Sequence, residues 1–188
     1  MKVGILAFQG DYKLHEYILH KLNVSTILVK YIEQLEGIDA LIIPGGESTV
    51  MSKMIYENKF GLSLKEFSKN KSIYGTCAGS ILMSSLCEDS RIKPLSIVGV
   101  QAIRNAWGRQ IDSFCDDIKL SFSKNNKFVA TFIRAPKLKL IDKNLKVLSF
   151  YKNEPILIRS NKHLLSSFHP EVSNDTRIHE YFIKMINE

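Results

Sequence analysis

Short apolar runs that end in glycine or polar turns constrain this chain more than any other feature of its sequence. Lys2 to Phe8 is almost wholly apolar but too short for a stable helix, and Ala40 to Ile43, closed by Pro44-Gly45-Gly46, is a second such run. Both are typical of buried parallel strands. Between them, apolar residues recur at helical spacing from Leu14 to Leu22, and Val24 to Val29 is rich in β-branched residues.

The alternation of strand and helix continues through the first half of the chain. Thr49 to Glu57 and Leu62 to Lys69 have helical periodicity, and Ser72 to Gly75 is strand-like. A further helix is predicted after Cys77, from the spacing of Ile81, Leu82, Ser85 and Leu86. We therefore expect an α/β fold of the flavodoxin-like kind, with three layers and a mostly parallel central sheet flanked by helices. Functional sites in such sheets lie at the carboxyl ends of the strands.

The second half is predicted to be rich in strands and to end in an amphipathic helix. That helix has apolar residues at i, i+3, i+4 and i+7 from Ile178, behind a predicted cap at Asn174 or Asp175. The predicted strands are Ile97 to Ala102, Lys127 to Phe132, Lys146 to Tyr151, Pro155 to Ile158 and His163 to Phe168.

Composition restricts the class of protein. A chain of 188 residues with 45% hydrophobic residues suits one compact domain, which we expect to span residues 1–188. No run approaches the roughly 18 apolar residues of a membrane span, and the three cysteines form no C-x-x-C pair, so we expect a soluble cytoplasmic protein. The net charge of +7 lacks a nucleic-acid-binding signature, and the lysine-rich stretch 119–146 is interpreted as solvated surface. Neither a nucleic-acid nor a membrane partner is expected.

Gly75-Thr76-Cys77-Ala78-Gly79 has the G-x-nucleophile-x-G form of a nucleophile elbow, placed at a strand-to-helix turn. Small flanking residues permit the tight turn that exposes the central side chain. Amides at the start of the following helix favour the thiolate form of Cys77 and can stabilise an oxyanion beside it. The pattern indicates a cysteine nucleophile if a base lies elsewhere in the chain. Cys87 and Cys115 are interpreted as buried packing residues.

Ser167-Phe168-His169-Pro170-Glu171 can supply that base. His169 would project from the end of a strand, and Glu171 would hold its other ring nitrogen. A metal site on the same two side chains is the alternative, but the sequence offers no second cluster of ligands, and no metal or cofactor is expected. The remaining histidines are expected to face solvent: His15, His20, His163 and His179.

Pro44-Gly45-Gly46-Glu47-Ser48-Thr49 follows a buried strand and precedes a helix, which places glycine amides beside the catalytic edge. This position suits an oxyanion or substrate loop. Gly-Gly is also a common turn, and Ser48 with Thr49 a common helix cap, so the pattern alone leaves both interpretations open. The segment does not match a phosphate-binding loop.

Six motifs occur in order along nearly the whole chain: Phe8-Gln9-Gly10, the Pro44 to Thr49 segment, the Cys77 elbow, Arg104-Asn105 with Gly108-Arg109-Gln110, Phe132-Ile133-Arg134-Ala135-Pro136, and the His169 motif. Together they resemble the class I, triad-type glutamine amidotransferases, and the arginine-containing motifs resemble the branch that serves vitamin B6 synthesis, the glutaminase subunits of pyridoxal 5'-phosphate synthase. Trp107 stands where that branch tends to carry another aromatic residue.

The resemblance implies that the chain hydrolyses L-glutamine to L-glutamate and ammonia through a glutamyl thioester. Cys77 would attack the amide, His169 would transfer the proton, and Glu171 would orient His169. The implied glutamine-binding residues are Gly46, Glu47, Ser48, Arg104, Ile133 and Arg134. The implied oxyanion-binding residues are Gly45, Gly46 and Ala78.

The resemblance also implies a partner. Ammonia would pass to a synthase subunit in a hetero-oligomeric complex that activates the glutaminase, with Gln9 at the junction. Arg104 or Arg134 could meet the carboxylate of the substrate, although each could instead form a structural ion pair.

Three alternatives differ in partner or substrate. The chain could be a glutaminase that serves histidine or purine synthesis, against which the Arg-Asn and Ile-Arg-Ala-Pro motifs argue. It could be a catalytically silent binding module on the same fold, which would be expected to lack a triad member. It could also be a cysteine peptidase or γ-glutamyl hydrolase with the same triad, which a comparison of substrates would separate.

Overall fold

The computed structural model describes residues 1–104, 113–124 and 127–188. Asn105, Trp107 and Gly108-Arg109-Gln110, which belong to the motifs above, lie outside these ranges. The strands are β1 Lys2–Leu6, β2 Ser25–Val29, β3 Ala40–Ile43, β4 Ser72–Thr76, β5 Ser84–Cys87, β6 Val98–Ile103, β7 Phe114–Lys119, β8 Lys127–Phe132, β9 Lys137–Leu140, β10 Lys146–Tyr151, β11 Glu154–Ser160 and β12 His163–Ser166. The α-helices are α1 Tyr12–Lys21, α2 Ser48–Glu57, α3 Phe60–Asn70, α4 Ala78–Met83 and α5 Arg177–Ile186, with short 3-10 turns at Ile32–Leu35 and Pro170–Val172.

Seven of the described strands form the central sheet, in the order β10-β11-β12-β4-β3-β1-β2. Strands β12, β4, β3, β1 and β2 pair in parallel, whereas β11 runs antiparallel to both of its neighbours. Every residue of β3 and β4 is buried, because these strands lie in the interior of the sheet and are covered on both faces. The predicted α/β fold with a mostly parallel sheet is confirmed.

The sheet separates two apolar cores. Successive side chains of a strand point to opposite faces, so Ala40 and Ile42 join the core formed with α1 and α5, whereas Leu41 and Ile43 join the core formed with α2, α3 and α4. Helices therefore cover both faces, and the predicted three layers are present. Within the described ranges, no helix is long and apolar enough to cross a membrane.

The structure shortens the helix that follows Cys77. The prediction that it includes Ser85 and Leu86 is wrong, because α4 ends at Met83 and the backbone becomes extended at Ser84, with φ −62° and ψ 160°. From there β5 pairs in parallel with β6, which in turn pairs antiparallel with β9 in a separate three-stranded sheet. The helical spacing of apolar residues extends to Leu86, but from Ser84 onward the pairing of β5 with β6 determines the backbone conformation.

Besides β5, two further strands and one helix boundary were not predicted from the sequence. β7 pairs with β8 in an antiparallel hairpin, but only Ile118 of β7 is buried, so its sequence lacks the alternation that marks a strand. β9 does alternate lysine and leucine, but it is only four residues long and Leu138 is its one buried residue. The last helix begins at Arg177 behind Thr176, rather than behind a cap at Asn174 or Asp175.

Two side-chain environments differ from those predicted. Cys115 is exposed and Cys87 is half-buried, so the interpretation of both as buried packing residues is wrong. His163, expected to face solvent, is buried, and its Nδ1 accepts a hydrogen bond of 3.2 Å from the amide of Ile73. The side chain thus satisfies a backbone donor at the start of β4.

Candidate active site

Cys77 occupies a strained turn between β4 and α4. Its φ of 46° and ψ of −103° lie in a region that residues with a β-carbon rarely adopt. A β-carbon at position 79 would lie 1.9 Å from the carbonyl oxygen of Ile43, so only glycine lets α4 start this close to β3. The G-x-C-x-G pattern is therefore explained by both the turn and the packing of the helix that follows it.

Hydrogen bonds fix the elbow to the neighbouring strand. The amide of Cys77 donates to the carbonyl of Ser166 at 2.8 Å, and the hydroxyl of Ser80 donates to the carbonyl of Cys77 at 2.7 Å. Because β4 and β12 are parallel neighbours with Thr76 opposite Ser166, both chains leave the sheet at the same edge. This topology brings His169, three residues after β12, next to Cys77.

His169 is buried between two carboxylates. Its Nδ1 lies 2.7 Å from Oε1 of Glu171 and 3.5 Å from Oδ2 of Asp11, and its amide donates to the carbonyl of Thr131 at 2.8 Å. The His169 and Glu171 side chains are 4% and 0% exposed, whereas Asp11 is 41% exposed. His169 is thus held by its own backbone amide and by two carboxylates on the Nδ1 side of its ring.

The surroundings of His169 favour its charged form. Burial disfavours the charge, but hydrogen bonds with Asp11, Cys77 and Glu171 outweigh it and raise the pKa of the ring to about 12. Burial also raises the pKa of Glu171, against the opposing effect of the hydrogen bond and charge of His169. An imidazolium between a sulfur and two carboxylates can stabilise a thiolate and give up a proton to a leaving group.

The loop after β3 lies against the imidazole ring. A β-carbon at position 45 would come within 2.3 Å of Cε1 of His169, so glycine is needed there. The carbonyl of Gly45 accepts a hydrogen bond of 3.2 Å from the amide of Asp11, and the side-chain amide of Gln9 donates to the carbonyl of Glu47 at 2.9 Å. The turn after β1 therefore supports the loop that carries the expected substrate and oxyanion residues.

Glu47 caps helix α2. Its carboxylate accepts hydrogen bonds from the amides of Thr49 and Val50 at 3.3 and 2.7 Å, and from the hydroxyl of Thr49. Partial burial opposes the charge, but these hydrogen bonds and the nearby Arg104 lower the pKa of Glu47. The cap is thus Glu47, whereas Ser48, a possible cap by sequence, is the buried first residue of the helix.

The two candidate arginines differ in their contacts. Arg104 pairs with Asp89 and lies 3.2 Å from Oε1 of Glu47, which is the structural ion pair left open by the sequence. Arg134 is exposed, has a positive φ of 46°, and makes no ion pair with the part of the chain that the structure describes. The neighbouring carbonyl of Ile133 lies 3.7 Å from Sγ of Cys77, so this segment borders the sulfur.

Sequence reasoning missed Asp11 and the buried histidines. Asp11 follows Gln9-Gly10 at the carboxyl end of β1, and the rule that sites form at this edge could have identified it. His15 and His179, expected to face solvent, are fully buried, and Nε2 of His15 lies 3.5 Å from Oε2 of Glu171. No signal of spacing identified them, because they lie 164 residues apart on separate helices.

A metal site has more candidate ligands than the sequence suggested. Asp11, His169 and Glu171 offer ligand atoms within 4.8 Å of one another. Both carboxylates, however, face the same ring nitrogen, and the contact of 2.7 Å between Nδ1 and Glu171 is a hydrogen bond that a metal would have to break. The donor set therefore fits an ion-pair cluster better than a metal centre.

Comparisons with a protein family, with sequence relatives and with a solved structure agree with one another. Residues 5–188 match the SNO glutamine amidotransferase family. The chain is 42% identical to the pyridoxal 5'-phosphate synthase subunit PdxT of Thermosipho africanus, with all of both chains covered, and 42% identical to the PdxT subunit of Francisella tularensis, with 98% of each covered. A solved glutamine amidotransferase superposes with a TM-score of 0.92 at 35% identity over 99% of both chains.

Proposed function

This chain belongs to the SNO glutamine amidotransferase family, and from that premise we propose that it is the glutaminase subunit of a pyridoxal 5'-phosphate synthase. It hydrolyses L-glutamine to L-glutamate and ammonia and delivers the ammonia to a synthase subunit. The contact between the buried His169 and Glu171, beside the strained Cys77, carries this proposal, because a thiol needs an oriented base to act as a nucleophile.

The reaction proceeds through a thioester. The Cys77 thiolate adds to the amide carbon of glutamine and forms a tetrahedral oxyanion. Collapse of this intermediate breaks the carbon–nitrogen bond, and the imidazolium of His169 protonates the leaving nitrogen so that ammonia departs. Water then attacks the thioester, with neutral His169 as the base, and releases glutamate and the free thiol. Glu171 keeps the ring in the orientation that serves both steps.

The oxyanion and the substrate are bound by groups around the elbow. The Ala78 amide and the loop at Gly45 and Gly46 stabilise the oxyanion. Glu47, Ser48 and Ile133 line the glutamine, and Glu47 already holds a fixed geometry as the cap of α2. Arg134 is the better candidate for the substrate carboxylate, since the guanidinium of Arg104 is already shared between two acidic side chains.

The partner is a synthase subunit that uses the ammonia. Gln9 lies at the junction with it, where its contact to the carbonyl of Glu47 links this surface to the substrate loop. Docking there can change the conformation of the Gly45-Gly46 peptide and so activate the glutaminase. A reducing cytoplasmic location suits three free cysteines, one of which is the nucleophile.

The test is release of glutamate from glutamine by the purified chain, alone and with a pyridoxal 5'-phosphate synthase subunit. Activity should rise with the partner and vanish in Cys77→Ala, while Cys115→Ala, at the exposed cysteine, should retain it. Activity that survives Cys77→Ala would refute the thioester mechanism. Hydrolysis of peptides or γ-glutamyl conjugates in place of glutamine would support the peptidase or γ-glutamyl hydrolase alternative, and stimulation by a histidine or purine synthase instead would change the partner.

A further inference from the structure

A line of buried polar groups continues behind the glutamate of the triad. Nε2 of His15 lies 3.5 Å from Oε2 of Glu171 and 3.2 Å from the hydroxyl of Thr76, while its Nδ1 lies 2.9 Å from Nε2 of His179. His15, Thr76 and His179 are all 0% exposed. The mechanism above uses none of them. Burial of a polar group costs free energy unless the group forms hydrogen bonds, so their position requires an explanation.

Both histidines are neutral in this environment. Burial lowers the pKa of His179 to about 3, and burial together with the neighbouring His179 and His169 lowers the pKa of His15 well below its ordinary value. Each ring therefore carries one proton. Two arrangements are open, depending on which ring donates in the hydrogen bond between them.

The surroundings select one arrangement. If His15 donated through Nδ1, its bare Nε2 would face Oε2 of Glu171, and two lone pairs would meet in a dry pocket. If His179 donates through Nε2, the proton of His15 sits on Nε2 and points between Thr76 and Glu171. Nδ1 of His179, which finds no partner among the described residues, is then a bare acceptor rather than a buried donor.

We propose that His15 is a positioning residue for the triad: its Nε2–H, oriented by His179, faces the second oxygen of Glu171 and keeps the carboxylate turned towards His169. Oε2 accepts no hydrogen bond from the described residues, and this N–H dipole lies 3.5 Å from it, measured between Nε2 and Oε2. The inference rests on the proposed function, in which Glu171 orients the catalytic histidine.

The packing makes this arrangement rigid. The rings of His15 and His179 both contact the edge or face of Tyr74, with ring centres 6.3 and 5.9 Å away. Burial raises the pKa of Tyr74 well above its ordinary value, against the opposing effect of the hydrogen bond with Ser166, so the hydroxyl stays neutral. The charged groups near Glu171 are then His169, whose Nδ1 lies 2.7 Å from Oε1, and Asp11, whose Oδ2 lies 3.5 Å from the same ring nitrogen, whereas His15 faces Oε2.

Two substitutions at position 15 separate positioning from packing. His15→Gln keeps a donor near the place of Nε2, whereas His15→Asn keeps only a group near the place of Nδ1, facing His179. In the complex with the synthase subunit, we expect His15→Asn to lower kcat for glutamine about tenfold or more with KM nearly unchanged, and His15→Gln to recover most of the loss. The acid limb of kcat/KM should move to higher pH in His15→Asn alone.

A second readout does not need turnover. The rate at which iodoacetamide alkylates Cys77, followed by mass spectrometry of its peptide against pH, reports the thiolate that His169 stabilises. The midpoint of this profile should rise in His15→Asn and stay in place in His15→Gln, and His179→Leu should shift it in the same direction as His15→Asn.

Equal behaviour of the two variants at position 15, in both kinetics and alkylation, would overturn the inference and leave His15 a packing residue. Wild-type protein that releases no glutamate would instead contradict the proposed function, and the alkylation profiles would still test the positioning role. Thermal unfolding of each variant checks that the fold is retained.

Discussion

Two clusters of charged and polar side chains meet the catalytic edge, and they make contacts of similar length in different surroundings. The buried cluster consists of His15, His169, Glu171 and His179, and the mouth cluster consists of Glu47, Asp89, Arg91 and Arg104. The shortest His169 to Glu171 contact and the Arg91 to Asp89 contact are both 2.7 Å. Side chains of the buried cluster are 0 to 4% exposed, whereas those of the mouth cluster are 17 to 71% exposed.

Distance therefore says little about the importance of a contact. In the mouth cluster, water and ions screen each pair, so its contacts set the local shape at little net energy. In the buried cluster a lost partner leaves a polar group without water, and the remaining groups must change their proton or their orientation. We expect substitutions in the buried cluster to change chemistry and those at the mouth to change affinity.

The largest expected effect comes from Glu171→Gln. The amide keeps the size of the side chain but removes the negative charge that stabilises the His169 imidazolium, so kcat for glutamine should fall on the order of 10³-fold. Steady-state kinetics in the complex with the synthase subunit would measure the change. Glu57→Gln, an exposed carboxylate that pairs only loosely with Lys53, is the matched control and should leave kcat unchanged. A loss smaller than tenfold in Glu171→Gln would place Glu171 among the packing residues.

The sequence predicted the first half of the chain better than the second, and a comparison of their strands shows why. Strands β1, β3 and β4 are almost wholly buried because both faces of the sheet are covered, and the local sequence therefore marks them as strands. Cys77 and His169 follow buried strands, β4 and β12, so local sequence patterns also identified these two residues. β7 carries exposed Asp116 and Asp117, and its pairing with β8 depends on contacts that no local pattern records.

The buried cluster was harder still to predict. His15 and His179 look like ordinary polar residues of amphipathic helices, and their burial follows from how α1 and α5 pack together on one face of the sheet. Local sequence indicates which face of a helix is apolar, but not which residues of other elements pack against that face. Arg104 is similar, since Asp89 lies 15 residues before it in a segment without a recognised motif.

A smaller effect is expected at the two candidate substrate arginines, Arg104 in the mouth cluster and Arg134 outside it. Arg134→Gln should raise KM for glutamine about 10- to 100-fold with little change in kcat, because a charge-assisted hydrogen bond to the substrate carboxylate is lost. Arg104→Gln should raise KM by only a few-fold, since Asp89 and Glu47 already occupy its guanidinium. Initial rates over a range of glutamine concentrations would decide between them. A larger KM effect at Arg104 would reverse the assignment and make Arg104 the substrate anchor.

The smallest expected effect tests burial alone, away from the catalytic groups. Burial, with a smaller contribution from Lys162, lowers the pKa of His163 to about 4. Between that value and the ordinary value near 6.5, the unfolded chain binds a proton that the folded chain does not, so His163 makes stability rise with pH by about 1.4 kcal/mol per unit. The contribution is complete above about pH 6.5 and is lost as the pH falls towards 4.

His163→Asn removes this titration while keeping an acceptor for the amide of Ile73. The free energy of unfolding in urea, measured from pH 4.5 to 6.5, should therefore depend on pH less steeply by about 1.4 kcal/mol per unit than in the wild type. A slope in His163→Asn equal to that of the wild type would mean that His163 gains its proton without unfolding. Burial would then affect the ionisation of a side chain less than the comparison of the two clusters indicates.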